Sequence, residues 1–236
     1  MRVAAIIPAH DEAAILEKNA RHVWKWGRKA FGHGFTLVIS ENGSGDSTAW
    51  LARLLEKLLD GCVTLTSKTP GKGGAIKRAS AAVEADAYLM LDADLSTDLD
   101  TAEALVAAVV SGADVAIASR RVPSARVRRP LVRKAATAVY AALAQAALGL
   151  GIRDLQCGCK AFSRHVRDEV LPTVVDDGFF FDTELLARSR SRGAKIDEIG
   201  AIWTERAEGG GGSKVRLLRD GLIFLKKLAA LREDLR

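Results

Sequence analysis

Cysteine is scarce, with three residues in a chain of 236. Cys157 and Cys159 stand too close together to suggest a disulfide framework, so the sequence fits a reduced, cytoplasmic setting. Long apolar runs are scarce as well. The opening "MRVAAIIPAHDEAA" turns acidic before a signal-peptide core can develop. Between Lys134 and Arg153, "AATAVYAALAQAALGLGI" holds 18 uncharged residues, the lower limit for a membrane span. It is mostly alanine, diluted by Thr137, Gln145 and two glycines, so its insertion energy is weak. A buried or membrane-touching helix is expected there rather than a spanning one, and the chain reads as soluble.

Several chemical signatures are missing. His10, His22, His33 and His165 show no metal-ligand spacing, and no Ser-His-Asp arrangement can be argued. "TPGKGGAIKRA" is not a Walker loop, because Gly73 follows Lys72 where Ser or Thr is required, and the G-x-G-x-x-G fingerprint is absent from it. What remains is a glycine turn that brings backbone and Lys72 close to a ligand. RNP-type aromatics, zinc knuckles and helix-turn-helix cues are lacking, so nucleic acid is not an expected partner. No internal repeat or linker marks a second independent domain.

What is present is an ordinary globular balance, 48% hydrophobic and 27% charged, in a chain long enough for a full core. The net charge of +6 favours acidic partners such as phosphorylated substrates or anionic membrane surfaces. Short β-rich runs alternate with helical stretches: strands at "RVAAIIP", "FTLVIS", "CVTLTS", "AYLMLD" and "ADVAIAS", and helices over 11–27, 47–59, through 83, and 101–111. That alternation predicts an α/β fold with a mostly parallel sheet and helices on both faces. Past Arg120, "RRVPSARVRRPLVRK" reads as a basic loop, followed by the alanine-rich helix, a strand at "LQCGCKAFS", a helix over 182–192 and a strand at "AKIDEIGAIW". "ERAEGGGGSK" reads as a flexible glycine loop before an amphipathic C-terminal helix.

Four successive strand ends carry polar candidates: Pro8 to Glu12, Glu41 to Asp46, Gly71 to Lys72, and Asp92 to Asp94. All project toward one edge of a parallel sheet, the edge where ligands bind. In an extended chain Asp92 and Asp94 point the same way and repel unless a cation or proton sits between them. A hard divalent ion completed by phosphates satisfies that requirement, and helix capping is the alternative. Asp98 and Asp100, in the first helical turn, read as capping residues.

In order, the motifs resemble the family 2 glycosyltransferases of GT-A fold, in particular the branch that loads a sugar onto dolichyl or another polyprenyl phosphate. "IIPAHDE" is similar to V-I-P-A-Y-N-E, "ENGSGDST" to D-D-G-S-x-D-x-T, "GKGGAIKRA" to the G-K-G segment and "DADLST" to D-x-D. "ASRRV", "RDLQCGCKAF" and "FFFDTELLARSRSRGAKIDEI" match later segments, and "ER" through "GGSK" looks like the acceptor-side loop. The resemblance runs from about residue 3 to 220.

It implies one GT-A domain over 1–236, with a Rossmann-like nucleotide-sugar half (1–119), an acceptor half (120–213) and the C-terminal helix (214–236). Pro8, Ala9, Glu12, Glu41, Gly43, Lys72 and Ala93 would line the nucleotide-sugar pocket. Asp92 and Asp94 would form the metal site, Asp92 facing the ribose or a metal-bound water and Asp94 holding Mg²⁺ or Mn²⁺ on the diphosphate. Relatives often carry a further glutamine ligand where Ser96 stands here. Arg120, Arg129, Arg133, Arg206 and Lys214 would hold the acceptor phosphate, and Asp154 would orient the acceptor or accept a proton. The implied reaction is metal-dependent, inverting transfer of a hexose from GDP-mannose or UDP-glucose to a polyprenyl or dolichyl phosphate. The alternatives are transfer to a glycan or lipid-linked saccharide hydroxyl, which needs Asp154 or Asp182 as general base, and a non-catalytic nucleotide- or membrane-binding protein, against which the intact D-x-D argues. The oligomeric state is left open. A lipid acceptor gives the basic loop and C-terminal helix a peripheral role at the cytoplasmic face of a membrane, with Leu222, Phe224 and Leu225 dipping into the interface. Packing of that helix on the domain or on a second subunit is the alternative.

Overall fold

The computed structural model describes residues 1–128, 131–204 and 217–235, the side chains of 131–137 and 217–222 excepted. The first half alternates as the sequence predicts: β1 (Val3–Ala9), α1 (Ala13–Phe31), β2 (Phe35–Asn42), α2 (Thr48–Leu58), β3 (Cys62–Ser67), α3 (Lys72–Ala82), β4 (Ala87–Met90), α4 (Leu99–Val110) and β5 (Val115–Ser119). There follow β6 (Arg126–Arg128), α5 (Leu131–Leu148), β7 (Lys160–Ser163), α6 (Phe181–Ser191), β8 (Ile196–Gly200), β9 (Ile202–Thr204) and α7 (Leu217–Asp234).

Seven strands form one sheet in the order β3-β2-β1-β4-β7-β5-β8. β7 alone is antiparallel to its neighbours. Helices cover both faces because the strands alternate: Ala5 and Ile7 of β1 pack with Leu16, Leu55 and Leu105, whereas Ala4 and Ile6 pack with Ile76, Leu185 and Leu228. Each buried leucine or isoleucine contributes about 1.5–3 kcal/mol, and β1 is apolar along its whole length because both its faces are covered. Tyr88 and Phe162, paired across β4 and β7, stack with ring centres 5.4 Å apart.

Some boundaries differ from the sequence expectation. α1 continues past Gly27 to Phe31, and α4 begins at Leu99, capped by Asp98, whose carboxylate accepts the Asp100 N–H at 2.8 Å. Of "LQCGCKAFS" only Lys160–Ser163 is strand. The basic stretch is not all loop: Arg126–Arg128 pairs in parallel with Ile202–Thr204, and α5 begins within it. The glycine loop at 205–214 lies outside the described residues.

The C-terminal helix packs on the body of the protein. Leu228 and Leu231 are buried, and the Phe224 ring meets Tyr140 and Phe180 at 5.5 and 5.6 Å. Arg188 Nη2 lies 2.7 Å from the Asp234 carboxylate, and Lys227 pairs with Asp176. Phe224 is therefore a packing residue, not one for an interface with lipid. Leu225 stays 40% exposed, and the Leu222 side chain lies outside the described residues. Among the described residues no helix is long and apolar enough to cross a membrane.

Candidate functional site

The parallel register brings the ends of the first strands together. Ala9 lies opposite Glu41, and Asn42 opposite Ser67. Asn42 is the knot: its Nδ2 donates to the Ala9 carbonyl at 2.9 Å, and its Oδ1 accepts the Gly71 N–H at 3.0 Å. The turn after β1 is locked to the turn after β2. Asp11, at φ +51°, accepts the Gly45 N–H at 2.7 Å, Glu12 N–H donates to Thr48 Oγ1 at 2.8 Å, and Ala13 N–H donates to Asp46 at 3.1 Å. Pro8, Ala9, Glu12, Glu41, Gly43 and Lys72 thus sit on one edge, as the sequence suggests. The buried Glu41 carboxylate accepts the Ser44 N–H at 2.6 Å, which fixes it within its own turn.

Asp92 and Asp94 lie just past β4, but not in extended chain. The Leu95 N–H donates to the Asp92 carbonyl at 3.0 Å, and Leu95 has φ +49°, so the two acids occupy a tight turn around Ala93. The alternation of a strand does not set their direction here; the turn does. Asp94 Oδ1 accepts the Ser96 N–H at 2.9 Å. Asp92 Oδ1 lies 3.0 Å from Lys72 Nζ, with its side chain 44% exposed. The space that Asp92 occupies exists because residue 158 is glycine: a Cβ there would stand 1.7 Å from Asp92 Oδ2.

Behind this pair lies a buried charge cluster. Lys72 Nζ is 3.2 Å from Asp182 Oδ2, and Lys160 Nζ donates to Asp182 Oδ1 at 2.7 Å and to the Cys157 carbonyl. Burial pushes Asp182 up, but Lys160 and Lys72 more than offset it and hold the carboxyl below the usual aspartate range. Burial likewise opposes charge on Lys72, yet Asp182 and Asp92 raise it above the ordinary lysine value. The α3 terminus is not an open phosphate cradle, because the Gly73 and Gly74 N–H groups donate to the carbonyls of Gly178 and Asp177 at 3.3 and 3.1 Å.

Arg120 and Asp154, 34 residues apart in sequence, form a two-pronged pair. Nε donates to Oδ2 at 2.7 Å and Nη2 to Oδ1 at 2.9 Å, and the Arg120 main-chain N–H adds a third bond at 3.0 Å. Arg120 Nη2 also donates to the Gln156 carbonyl at 3.0 Å, and the guanidinium lies 5.8 Å from the centre of the Trp203 ring. Burial raises Asp154, but the bonds and charge of Arg120 outweigh it, leaving the carboxyl below its usual range. Arg129, Arg206 and Lys214 lie outside the described residues, as does the side chain of Arg133.

Sequence reasoning missed Lys160, Gly158 and Trp203. A lysine within the apolar run "CGCKAF" was the available signal for the first, since a lysine inside a strand must find a partner. No sequence signal points to the Gly158 contact, which depends on where a remote turn lands.

Two half-exposed carboxylates, Asp92 and Asp94, suit a hard divalent cation whose other ligands are phosphate and water oxygens. Among the described residues no group of three or more His, Cys, Asp or Glu side chains gathers as a self-sufficient metal site. The donor set fits an ion that arrives with its ligand.

A seven-stranded, mostly parallel sheet covered by helices on both faces, with polar turns gathered at one edge, is the architecture of the GT-A fold. Residues 4–171 match Glycosyl transferase family 2, and the chain belongs to that family. It is 34% identical over 224 residues to glycosyltransferase AglD of Haloferax volcanii, covering 93% of this chain and 35% of that protein. It is 28% identical over 218 residues to dolichyl-phosphate beta-glucosyltransferase of Dictyostelium discoideum, covering 86% and 66%. The chain thus spans about a third of the first relative's length and just under two thirds of the second's. Among solved structures, glucosyl-3-phosphoglycerate synthase from Mycobacterium tuberculosis, in complex with Mn²⁺, uridine diphosphate and glucosyl-3-phosphoglycerate, superposes with a TM-score of 0.68 at 19% identity. That superposition covers 99% of this chain and 79% of that one, and shows a common fold.

Proposed function

We propose that the protein transfers a hexose from a nucleotide-diphosphate sugar, GDP-mannose or UDP-glucose, to a polyprenyl or dolichyl phosphate, with inversion at the anomeric carbon. One observation carries the choice of acceptor. Asp154 and Asp182, the two acids that could have served a hydroxyl acceptor as general base, are each buried against cations and held below the ordinary carboxylate range. A carboxylate so stabilised is a poor proton acceptor. A phosphate oxygen is already anionic at neutral pH and needs no base. The Dictyostelium relative is named for a dolichyl-phosphate acceptor, which agrees with this reading.

In the proposed site, Pro8, Ala9, Glu12, Glu41 and Gly43 line the nucleotide pocket, and Lys72 faces the diphosphate. Asp92 and Asp94 hold Mg²⁺ or Mn²⁺, as the relative solved with Mn²⁺ and uridine diphosphate suggests. When bound, the ion neutralises charge that builds on the departing diphosphate. Lys72 adds a fixed positive charge at the same place. Asp154 orients Arg120 rather than moving a proton. With Nε and Nη2 committed to Asp154 and Gln156, Arg120 offers Nη1 to an acceptor phosphate, and Arg129, Arg133, Arg206 and Lys214 are placed by sequence to complete that contact. Transfer occurs at the cytoplasmic face of a membrane, with the protein peripherally bound. The exposed Val139 and Leu143 of α5 and Ile223 and Leu225 of α7 supply apolar contact.

The test is a panel of GDP- and UDP-sugars incubated with polyprenyl phosphate and Mn²⁺, with glycolipid scored by mass. One donor is expected to give a hexosyl-phosphoryl lipid. Transfer to a free saccharide hydroxyl, with none to the lipid phosphate, sinks the assignment.

A further inference from the structure

β7 delivers a lysine to the edge where the parallel strands end. Because it runs antiparallel, its first residue, Lys160, lies opposite Met90 of β4 and Ile117 of β5. The Lys160 side chain has 0% exposure and the Asp182 side chain 3%, while Lys72, on the other oxygen of the same carboxylate, has 12%. One aspartate therefore serves two ammonium groups.

Counting charge shows what the second lysine does. Lys72 and Asp182 alone would be a neutral pair with little field beyond it. Sharing Asp182 with Lys160 leaves the three side chains with an excess of one positive charge. Two of the three are sealed from solvent, so the excess is expressed through Lys72, toward Asp92. Asp92, outside these three side chains and more exposed than any of them, balances that excess until another anion takes its place at Lys72.

We propose that Lys160 is a positioning residue: through Asp182 it holds Lys72 in place and keeps the cluster net positive toward the diphosphate of the donor. The proposal rests on the nucleotide-sugar reading above. Lys160 touches no ligand, since no part of its side chain is exposed. Its action is electrostatic, across one carboxylate in a medium that screens poorly.

The test is calorimetric titration with UDP and GDP in the presence of Mn²⁺, using wild type, Lys160→Met, Lys160→Arg and Lys160→Gln, with uridine and guanosine as uncharged references. Lys160→Met is expected to weaken the diphosphate that wild type binds by about tenfold, leaving the nucleoside unchanged. Lys160→Arg is expected to stay within about threefold of wild type, because it keeps the charge. A merely structural role predicts equal losses for nucleoside and diphosphate, and that result overturns the proposal. Should Lys160→Met fail to fold, Lys160→Gln decides: it keeps a hydrogen-bond donor for Asp182 but no charge, so a loss of about tenfold confined to the diphosphate is expected, and diphosphate binding equal to wild type overturns the idea. Wild type that binds neither diphosphate overturns the functional reading and this proposal together. Wild type that binds, with Lys160→Met unchanged, overturns the proposal alone.

Discussion

The Asp92 carboxylate lies directly over the α-carbon of Gly158, where a side chain would come within 1.7 Å of Oδ2. Gly158 belongs to the turn that leads into β7, so two segments remote in sequence meet with no room for a methyl group. Gly158→Ala is expected to push Asp92 aside. Misplacing a reacting group by about 1 Å can cost on the order of 10²-fold in turnover, whereas the overpacking itself costs about 1–3 kcal/mol of stability. Glycolipid formation alongside a urea melt separates the two effects. Unchanged turnover in a folded variant would show that the position of Asp92 is not critical.

Four acids within nine residues have different assignments. Asp94→Ala is expected to abolish turnover and to remove the sensitivity of UDP or GDP binding to EDTA. Asp98 caps α4 through the Asp100 N–H, so Asp98→Ala is expected to cost about 1 kcal/mol of stability and leave turnover intact. Equal activity in the two variants contradicts the separation. So does wild-type nucleotide affinity that is indifferent to EDTA.

The first four strands and the gathering of polar turns at one edge were legible because parallel order and period-two burial are written locally, as in "VAAIIPA" of β1. The cap at Asp98 was legible for the same reason. The partnerships were not. Asp154 reads as an isolated acid until the fold sets Arg120 against it, and Asp182 reads as a possible base until Lys72 and Lys160 close on both its oxygens. Lys160 stayed hidden because β7 is antiparallel: only its direction puts its first residue, rather than its last, at the site. The split of "AKIDEIGAIW" into β8 and β9 likewise depends on tertiary contact, since the Thr204 N–H donates to the Ser96 carbonyl at 2.8 Å and draws β9 onto the turn after Asp94.

Asp154 and Asp182 both have folded-state pKa values below the ordinary aspartate value, about 3.9 in an unfolded chain. A depressed carboxylate contributes stability that is fully present above the unfolded pKa and is lost as pH falls through the folded one. Stability is therefore expected to hold from neutrality to about pH 5 and to decline below about pH 4, as read from urea midpoints across pH. Asp154→Asn strands the Arg120 guanidinium and is expected to cost about 3–5 kcal/mol. If the variant folds, the acid limb of its pH–rate profile should stay where it is in wild type. Loss of that limb would make Asp154 a general base and reverse the choice of acceptor.

Adjacent residues on α7 separate folding from membrane contact. Phe224 packs edge-on against Tyr140 and Phe180, while Leu225 is 40% exposed. Phe224→Ala removes part of a core contact and is expected to cost about 2 kcal/mol, below the value for a fully buried phenylalanine. Leu225→Glu alters little that is buried, so its stability should stay within about 0.5 kcal/mol of wild type. On vesicles containing anionic lipid the order reverses. A glutamate at the interface both loses apolar contact and meets like charge, so Leu225→Glu should bind several-fold more weakly, while folded Phe224→Ala should bind as wild type does. Co-sedimentation with vesicles measures this directly. If Leu225→Glu sediments like wild type, α7 serves only to hold α5 and α6 together, and the lipid must reach the site by another face.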